Sequence, residues 1–280
     1  MPPYCFAYLS YHKTGRGGYS FFVDFTTILV ASRQNCQNRL AVFVGCHYNK
    51  VYLCIEEGNR DMYTTVLFDL DGTLLNTIDD LADSANRVCA AHGWPTYTVD
   101  QYRYFVGNGI PKLVERFSPE SARDPETLAA TLKEFDAEYG AHMFDKTAPY
   151  PGMPELLARL HERGIRMAVY SNKADEFAGD VVARYFDASL FEVIRGARKG
   201  VPTKPAPEGT KALMAHLGVD PAAGNVLYVG DSNVDVATAH NAGLPCCGVL
   251  WGFRTREELQ QAGAEYLAAD TAQLEAVILG

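Results

Sequence analysis

Residues 64–73 read TTVLFDLDGT, a run of β-branched, aliphatic and aromatic residues that ends in two carboxylates one position apart, Asp69 and Asp71. Thr65–Phe68 has the composition of a buried strand. Charge is costly to bury, and like charges held close raise one another's pKa. Two acids at the end of such a strand therefore imply a cation to hold or chemistry to perform. Residues two apart in extended backbone face the same side, so both carboxylates can address one ligand while Leu70 turns inward. Gly72 allows the chain to turn tightly just beyond them. Two carboxylates in different environments can divide labour as nucleophile and proton donor. Taken alone, the segment also suits a solvated Asp-X-Asp-Gly turn. A calcium loop does not fit, because no Asp/Asn ladder with a distal Glu follows.

From residue 62 onward the pattern is regular. Ile78–Ala91 spaces its apolar residues by three and four, a helix closed by Gly93 and Pro95. Helical spacing continues over Val99–Phe105, Ile110–Phe117 and Pro125–Phe144 without an intervening strand, until Pro149-Tyr150-Pro151-Gly152 breaks the chain. Helix and strand then alternate: helix Pro154–Arg163, strand Arg166–Tyr170, helix Ala174–Tyr185, strand Phe191–Ile194 and helix Glu208–Leu217. Strand Val226–Val229, helix Val234–Asn241, strand Cys246–Leu250 and a last pair of short elements follow. Alternating β and α with continuous apolar strands predicts an α/β fold with a doubly wound parallel sheet. Residues 62–76 and 151–280 are expected to form that core, and 77–150 an inserted α-helical domain.

The first 61 residues differ from the rest. They hold four of the seven cysteines and eleven of the thirty-two aromatics, and their six Lys/Arg against four Asp/Glu give +2. Residues 62–280 carry 19 against 30, or −11. No helical or strand period runs through the segment. Phe21–Ala31 is apolar but short and interrupted by Asp24, so it reads neither as a membrane span nor as a signal peptide. Glu56-Glu57-Gly58 has purine-rich codons, able to spell a ribosome-binding site upstream of Met62. The expectation is that Met62 is the authentic start and residues 1–61 a translated leader; the competing reading is a small extra interaction module. Peptides from before Met62 in the native protein would rule the leader out.

The net charge of −9 argues against a nucleic-acid surface, which needs basic stripes. No CxxC and no zinc-type Cys/His spacing occurs, so the cysteines read as reduced thiols of a cytoplasmic protein, with Cys246-Cys247 in the core.

Open parallel sheets bind ligands outside the carboxyl ends of their strands. Two further strands end there in polar groups, Ser171-Asn172-Lys173 and Gly230-Asp231-Ser232-Asn233-Val234-Asp235, and Lys204 adds a cation in a loop of the same edge. Ser171 and Asn172, placed where strand passes into helix, offer a hydroxyl and free N–H groups to a phosphate, or simply cap the helix. Lys204 precedes Pro205-Ala206-Pro207, and can neutralise a carboxylate and a phosphate together, or be solvated. Asp235 lies one helical turn beyond Asp231 and can reach back toward it; Asp231 is also a possible N-cap. Asp69, Asp71 and Asp231, with phosphate oxygens and waters, would complete an octahedral magnesium shell.

These residues resemble the haloacid dehalogenase superfamily over about Met62 to Gly280. Asp69-Leu70-Asp71-Gly72-Thr73, Ser171 after a strand, Lys204 before a proline, and Asp231 with Asp235 match its four motifs in order. The helical insertion is similar to the family's small α-helical cap. Residues 106–114 and the stretch PGMPELLARL at 151–160 resemble phosphoglycolate phosphatases in particular. The resemblance implies a Mg2+-dependent phosphatase of a small phosphate monoester, 2-phosphoglycolate foremost, working through an aspartyl-phosphate. Asp69 is then the nucleophile and Asp71 the general acid and base. Thr73, Ser171, Asn172 and Lys204 bind the phosphoryl group. Asp69, Asp71 (through its main-chain carbonyl) and Asp231 hold Mg2+, and Asp235 supports them. In the insertion, Asn108, Gly109 and Lys112, with Arg116 and with Arg254 outside it, are candidates to meet a substrate carboxylate. Solvated residues at a helix start are the competing reading.

A sugar-phosphate mutase or inorganic pyrophosphatase on the same scaffold is the alternative, and a phospho-acceptor receiver module a remote one, since receivers are shorter and lack the insertion. The expected partner is a small-molecule phosphate ester, with no nucleic acid and no membrane, bound by a monomer or homodimer.

Overall fold

The computed structural model describes residues 62–280 throughout and, before them, only the backbone of four strands. These are β1 (Ser10–Thr14), β2 (Gly18–Phe22), β3 (Leu40–His47) and β4 (Lys50–Glu57), which pair as two antiparallel hairpins, β1 with β2 and β3 with β4. The sequence shows no period there, yet β3 and β4 pair over their full length, from Leu40 opposite Glu57 to His47 opposite Lys50. Whether this segment is a leader or a module falls outside the described residues. Asp61–Gly280 forms a compact unit of its own.

That unit is built on a sheet of six parallel strands: β5 (Thr65–Phe68), β8 (Arg166–Ala174), β9 (Val193–Ala197), β10 (Val226–Gly230), β11 (Cys246–Val249) and β12 (Tyr266–Ala268). Their order across the sheet is β12-β11-β10-β5-β8-β9. The chain starts at β5, builds outward through β8 and β9, then returns to β10 and builds the other way. The crevice between β5 and β10 is therefore the topological switch point, where such sheets bind ligands. Asp69 follows β5 and Asp231 follows β10, so both acids stand at its mouth.

Alternate side chains of each strand feed two cores. Val66, Phe68, Met167, Val169, Leu227 and Val229 pack on one side, against helices α5 (Met153–Glu162), α6 (Asp175–Tyr185) and α10 (Thr271–Leu279). Leu67, Ala168, Tyr170, Tyr228 and Cys246 pack on the other, against α7 (Pro207–Leu217), α8 (Asn233–Asn241) and α9 (Arg256–Ala262). Period-two alternation beneath two helical layers leaves β5, β10 and β11 buried on both faces. Cys246 and Cys247 are free thiols, buried in opposite layers.

Residues 77–150 carry α1 (Ile78–Ala91), α2 (Val99–Phe105), α3 (Ile110–Phe117) and α4 (Pro125–His142). They close around Tyr102, Phe117, Phe135 and Tyr139, all fully buried. Two strands too short to read from sequence, β6 (Leu75–Asn76) and β7 (Ala148–Pro149), pair antiparallel where the chain leaves and re-enters the core. Beside them the buried Asp80 carboxylate accepts from the backbone N–H groups of Lys146 (2.9 Å) and Thr147 (2.8 Å). Such charge-assisted bonds satisfy a buried acid without a cation and fasten the start of α1 to the returning chain. Among the described residues no helix is long and apolar enough to cross a membrane.

Candidate active site

Asp69 continues β5: its N–H donates to Val229 O at 2.9 Å, which locks the end of β5 to β10. Beyond it the chain folds back on Leu70, whose carbonyl accepts from Thr73, Leu74 and Leu75. Gly72 sits at φ +88°, and a Cβ there would run into the Asp231 carboxylate. Gly252 approaches Asp231 just as closely, and a Cβ there would also meet the Gly72 carbonyl. Only residues without side chains let these two loops close on that acid.

Lys204 is the centre of the charge network. Its Nζ lies 2.7 Å from Asp69 Oδ1 and 2.7 Å from Asp235 Oδ1, and donates to Tyr170 O and Tyr228 Oη at 3.2 Å each. Its backbone is held too: the Lys204 N–H donates to Asn172 Oδ1 (2.8 Å), and Asn172 Nδ2 donates to Lys204 O (3.1 Å) and to Gly107 O of the helical insertion (3.0 Å). Asp235 in turn accepts from the Ser232 hydroxyl (2.6 Å) and N–H (3.1 Å) in a capping box at the start of α8. Both of its oxygens are thereby occupied.

Asp69, Asp231 and Asp235 bring carboxylate oxygens within 4.8 Å of one another. Asp231 Oδ2 accepts from the Phe253 N–H at 2.6 Å. Burial, then the Asp235 carboxylate, push Asp69 up to about 7 against the pull of Lys204. Burial, with Asp235 and Asp69 adding to it, holds Asp231 well above the usual carboxylate range. Burial alone would lower Lys204, but Asp235 and Asp69 outweigh it and keep the ammonium charged. Three buried acids thus cluster where Lys204 pairs with two of them. An all-oxygen donor set with surplus negative charge suits a hard divalent ion such as Mg2+. Asp69 and Asp231 have oxygens to give it, whereas Asp235 is committed to Lys204 and Ser232.

Asp71 faces the same cleft from outside this cluster. Its Oδ1 accepts from Lys173 Nζ at 3.1 Å, and Lys173 Nζ also donates to Tyr139 Oη on α4 at 2.6 Å. The cleft is walled by these groups below and by Leu81, Val106, Ile110, Leu113, Phe253 and Arg254 above.

A family model described as haloacid dehalogenase-like hydrolase matches residues 66–249. The chain belongs to that family. This hydrolase is 34% identical over 219 residues to the phosphoglycolate phosphatase of Vibrio vulnificus, covering 76% of this chain and 95% of that one. It is similar in structure to a candidate phosphoglycolate phosphatase from Lactobacillus delbrueckii subsp. bulgaricus, with a TM-score of 0.73 and 30% identity over 78% of this chain and 99% of that one. CbbY from Rhodobacter sphaeroides, solved in complex with phosphate, matches with a TM-score of 0.64 and 26% identity over 76% of this chain and 96% of the other.

The structure of this hydrolase brings together Asp69, Asp71, Ser171, Asn172, Lys204, Asp231 and Asp235, drawn from four separate segments of the chain. It departs from the sequence reading in several places. Ser171 and Asn172 are not at a helix start: β8 runs on through them to Ala174, with a register shift against β9 after Tyr170, and α6 begins only at Asp175. Its N-cap is Ala174, which has no side chain to cap with, so neither helix capping nor a helix-end anion site describes Ser171. Thr73 is fully buried and absent from the cleft wall, because the turn at Gly72 points it into the core. The Asp71 carboxylate stands apart from the three clustered acids, paired with Lys173 instead. Lys112 occupies the outer face of α3, 2.7 Å from Glu115, since Ile110, Leu113, Val114 and Phe117 claim the inner face. Asn108 is tied to Arg116 Nη2 at 2.8 Å, and neither lines the cleft, whereas Gly109 and Arg254 do. Tyr139, Tyr228 and Gly252 leave no signal in the sequence, whereas Lys173 stands there as a strand-end polar residue two beyond Ser171, with no role assigned.

Proposed function

We propose that this hydrolase is a Mg2+-dependent phosphatase of a small phosphate monoester, with 2-phosphoglycolate as its foremost substrate. The observation that carries the reading is the Lys204 ammonium, 2.7 Å from both Asp69 and Asp235, in a cleft that Asp71 faces with a lysine of its own. Asp69 attacks phosphorus in line and becomes an aspartyl-phosphate as the ester oxygen leaves. Asp71 gives that oxygen a proton, then takes one from the water that hydrolyses the acyl phosphate. Lys204, Ser171 and the Asn172 segment hold the transferring group, and Asp235 keeps Lys204 aimed at it. Mg2+ would be held by the Asp69 and Asp231 carboxylates and the Asp71 carbonyl, and supplies charge neutralisation for the phosphoryl oxygens. The helical insertion acts as a cap that excludes water and selects the leaving group. The named relatives support phosphoglycolate, and so does Arg254, a cation on the cleft wall able to meet a carboxylate.

The direct test is inorganic phosphate release, with and without Mg2+, from phosphoglycolate, sugar phosphates, nucleotides and pyrophosphate. Phosphoglycolate should give the highest kcat/KM; fastest release from pyrophosphate, or interconversion of sugar phosphates without release, would replace the reading by a pyrophosphatase or a mutase. Asp71→Asn should lower turnover of alkyl phosphates by about 10^2- to 10^4-fold, the usual worth of a general acid or base.

Metal binding should also be visible in stability. A carboxyl raised from 3.8 to about 7 holds a proton in the folded state that the unfolded chain has lost. Metal-free stability therefore falls as pH rises between those values. Mg2+ competes with that proton, so the rise in Tm on adding it should be larger near pH 8 than near pH 5. A shift of equal size at both would contradict the shared site.

A further inference from the structure

We propose that Lys173 is a positioning residue for Asp71, fixing which carboxylate oxygen carries the transferred proton, and that Tyr139 places this lysine under control of the helical insertion. The inference rests on the acid/base reading of Asp71.

The Lys173 side chain is 1% exposed, so its charge needs an anion within reach. Among the described residues, its ion-pair partner is Asp71, 3.1 Å away through Oδ1. An ammonium only donates, so an oxygen bonded to it is a poor place for a proton. Oδ1 is thus kept as the acceptor, and Oδ2 is left to carry the proton toward a leaving oxygen. The Asp71 side chain is 19% exposed where the lysine is not, as expected of a group that must meet substrate on one side and be gripped on the other.

The grip has a third member. Lys173 Nζ donates to Tyr139 Oη at 2.6 Å and lies 4.6 Å from the centre of the Tyr139 ring. Tyr139 belongs to α4, stacks on Phe135 at 5.7 Å and meets Phe177 of α6 edge-on at 5.7 Å. It is therefore rigidly placed, and only when the insertion is seated on the core does it reach the lysine. With Tyr139 away, Lys173 loses one of its two acceptors and its geometry on Asp71 loosens. Seating of the insertion and readiness of the acid become one event.

The test separates a proton-placing role from a merely structural one by leaving group. An alkyl phosphate such as phosphoglycolate needs its departing oxygen protonated, whereas p-nitrophenyl phosphate needs it little. On kcat/KM, which reports steps through departure of the leaving group, Lys173→Met should cost phosphoglycolate about 100-fold and p-nitrophenyl phosphate only a few-fold. Tyr139→Phe, a milder change with the ring retained, should show the same selectivity at smaller size and decides the matter should Lys173→Met not fold. Asp71→Asn is the control. Equal losses on the two substrates for the Lys173 and Tyr139 variants, beside a selective loss for Asp71→Asn, overturn the inference and leave the acid role standing. A non-selective Asp71→Asn overturns the acid role itself.

Discussion

Asp69→Asn is expected to lower kcat by about 10^4-fold or more, the scale on which an enzyme loses its covalent nucleophile. An amide oxygen is neither charged nor basic enough to displace an alkoxide from phosphorus, and no other described carboxylate stands ready to replace it: Asp231 is held by the Phe253 N–H, Asp235 by Lys204 and Ser232, Asp71 by Lys173. The fold should survive. Asn is nearly isosteric, and it removes one acid from a cluster of three buried carboxyls, two of which pair with Lys204. Metal-free Tm should therefore change little, while the Mg2+-induced rise in Tm shrinks, because a ligand has gone. Mass spectrometry of enzyme quenched during turnover should find a phosphoryl group on the wild-type segment holding Asp69 and none on the variant. Activity within tenfold of wild type, or phosphorylation elsewhere, would remove Asp69 from the mechanism.

Much of this arrangement was legible in the chain because strand-end chemistry is local. Residues 65–68 form a strand and place two acids just beyond its end whatever the rest does, and alternation of helices and strands after residue 151 makes the sheet parallel. Non-local choices stayed hidden. Nothing in Ser171-Asn172-Lys173 says that the strand continues through them; the cause is their engagement on both sides, Asn172 with Lys204 and Gly107, Lys173 with Asp71 and Tyr139. Those partners lie 32 to 102 positions away in sequence. Lys112 is ambiguous in the sequence for a different reason. Its neighbours in α3 are apolar on one face, and a helical wheel puts the lysine opposite, but a short segment after Gly107-Asn108-Gly109 reads equally well as an anion-binding start. Tyr139 left no trace, since a buried tyrosine in a helix looks like any core aromatic until the lysine opposite it is seen.

Lys204→Met should be the most damaging single change to stability and should also slow the reaction, and the two losses should be separable. Methionine keeps most of the stem's volume but removes the one ammonium within ion-pair distance of Asp69 and Asp235 among the described residues. Two buried carboxylates are then left facing one another, a situation that costs about 3–5 kcal/mol when one partner of a buried pair is deleted. For a domain of this size that is a fall in Tm on the order of 10 °C. Mg2+ should recover part of it, since a cation at Asp69 and Asp231 relieves the same repulsion. The rate should fall by about 10^2- to 10^3-fold even in folded protein saturated with Mg2+, because a fixed positive charge aimed at the transferring phosphoryl group is lost. Adding Asp235→Asn to Lys204→Met tests the division. Asparagine can still accept from Ser232 and carries no charge, so the double variant should regain much of the stability and none of the rate. Were activity to return with stability, Lys204 would be a structural counter-ion to its two acids, and phosphoryl binding would have to be assigned to Ser171 and the metal alone.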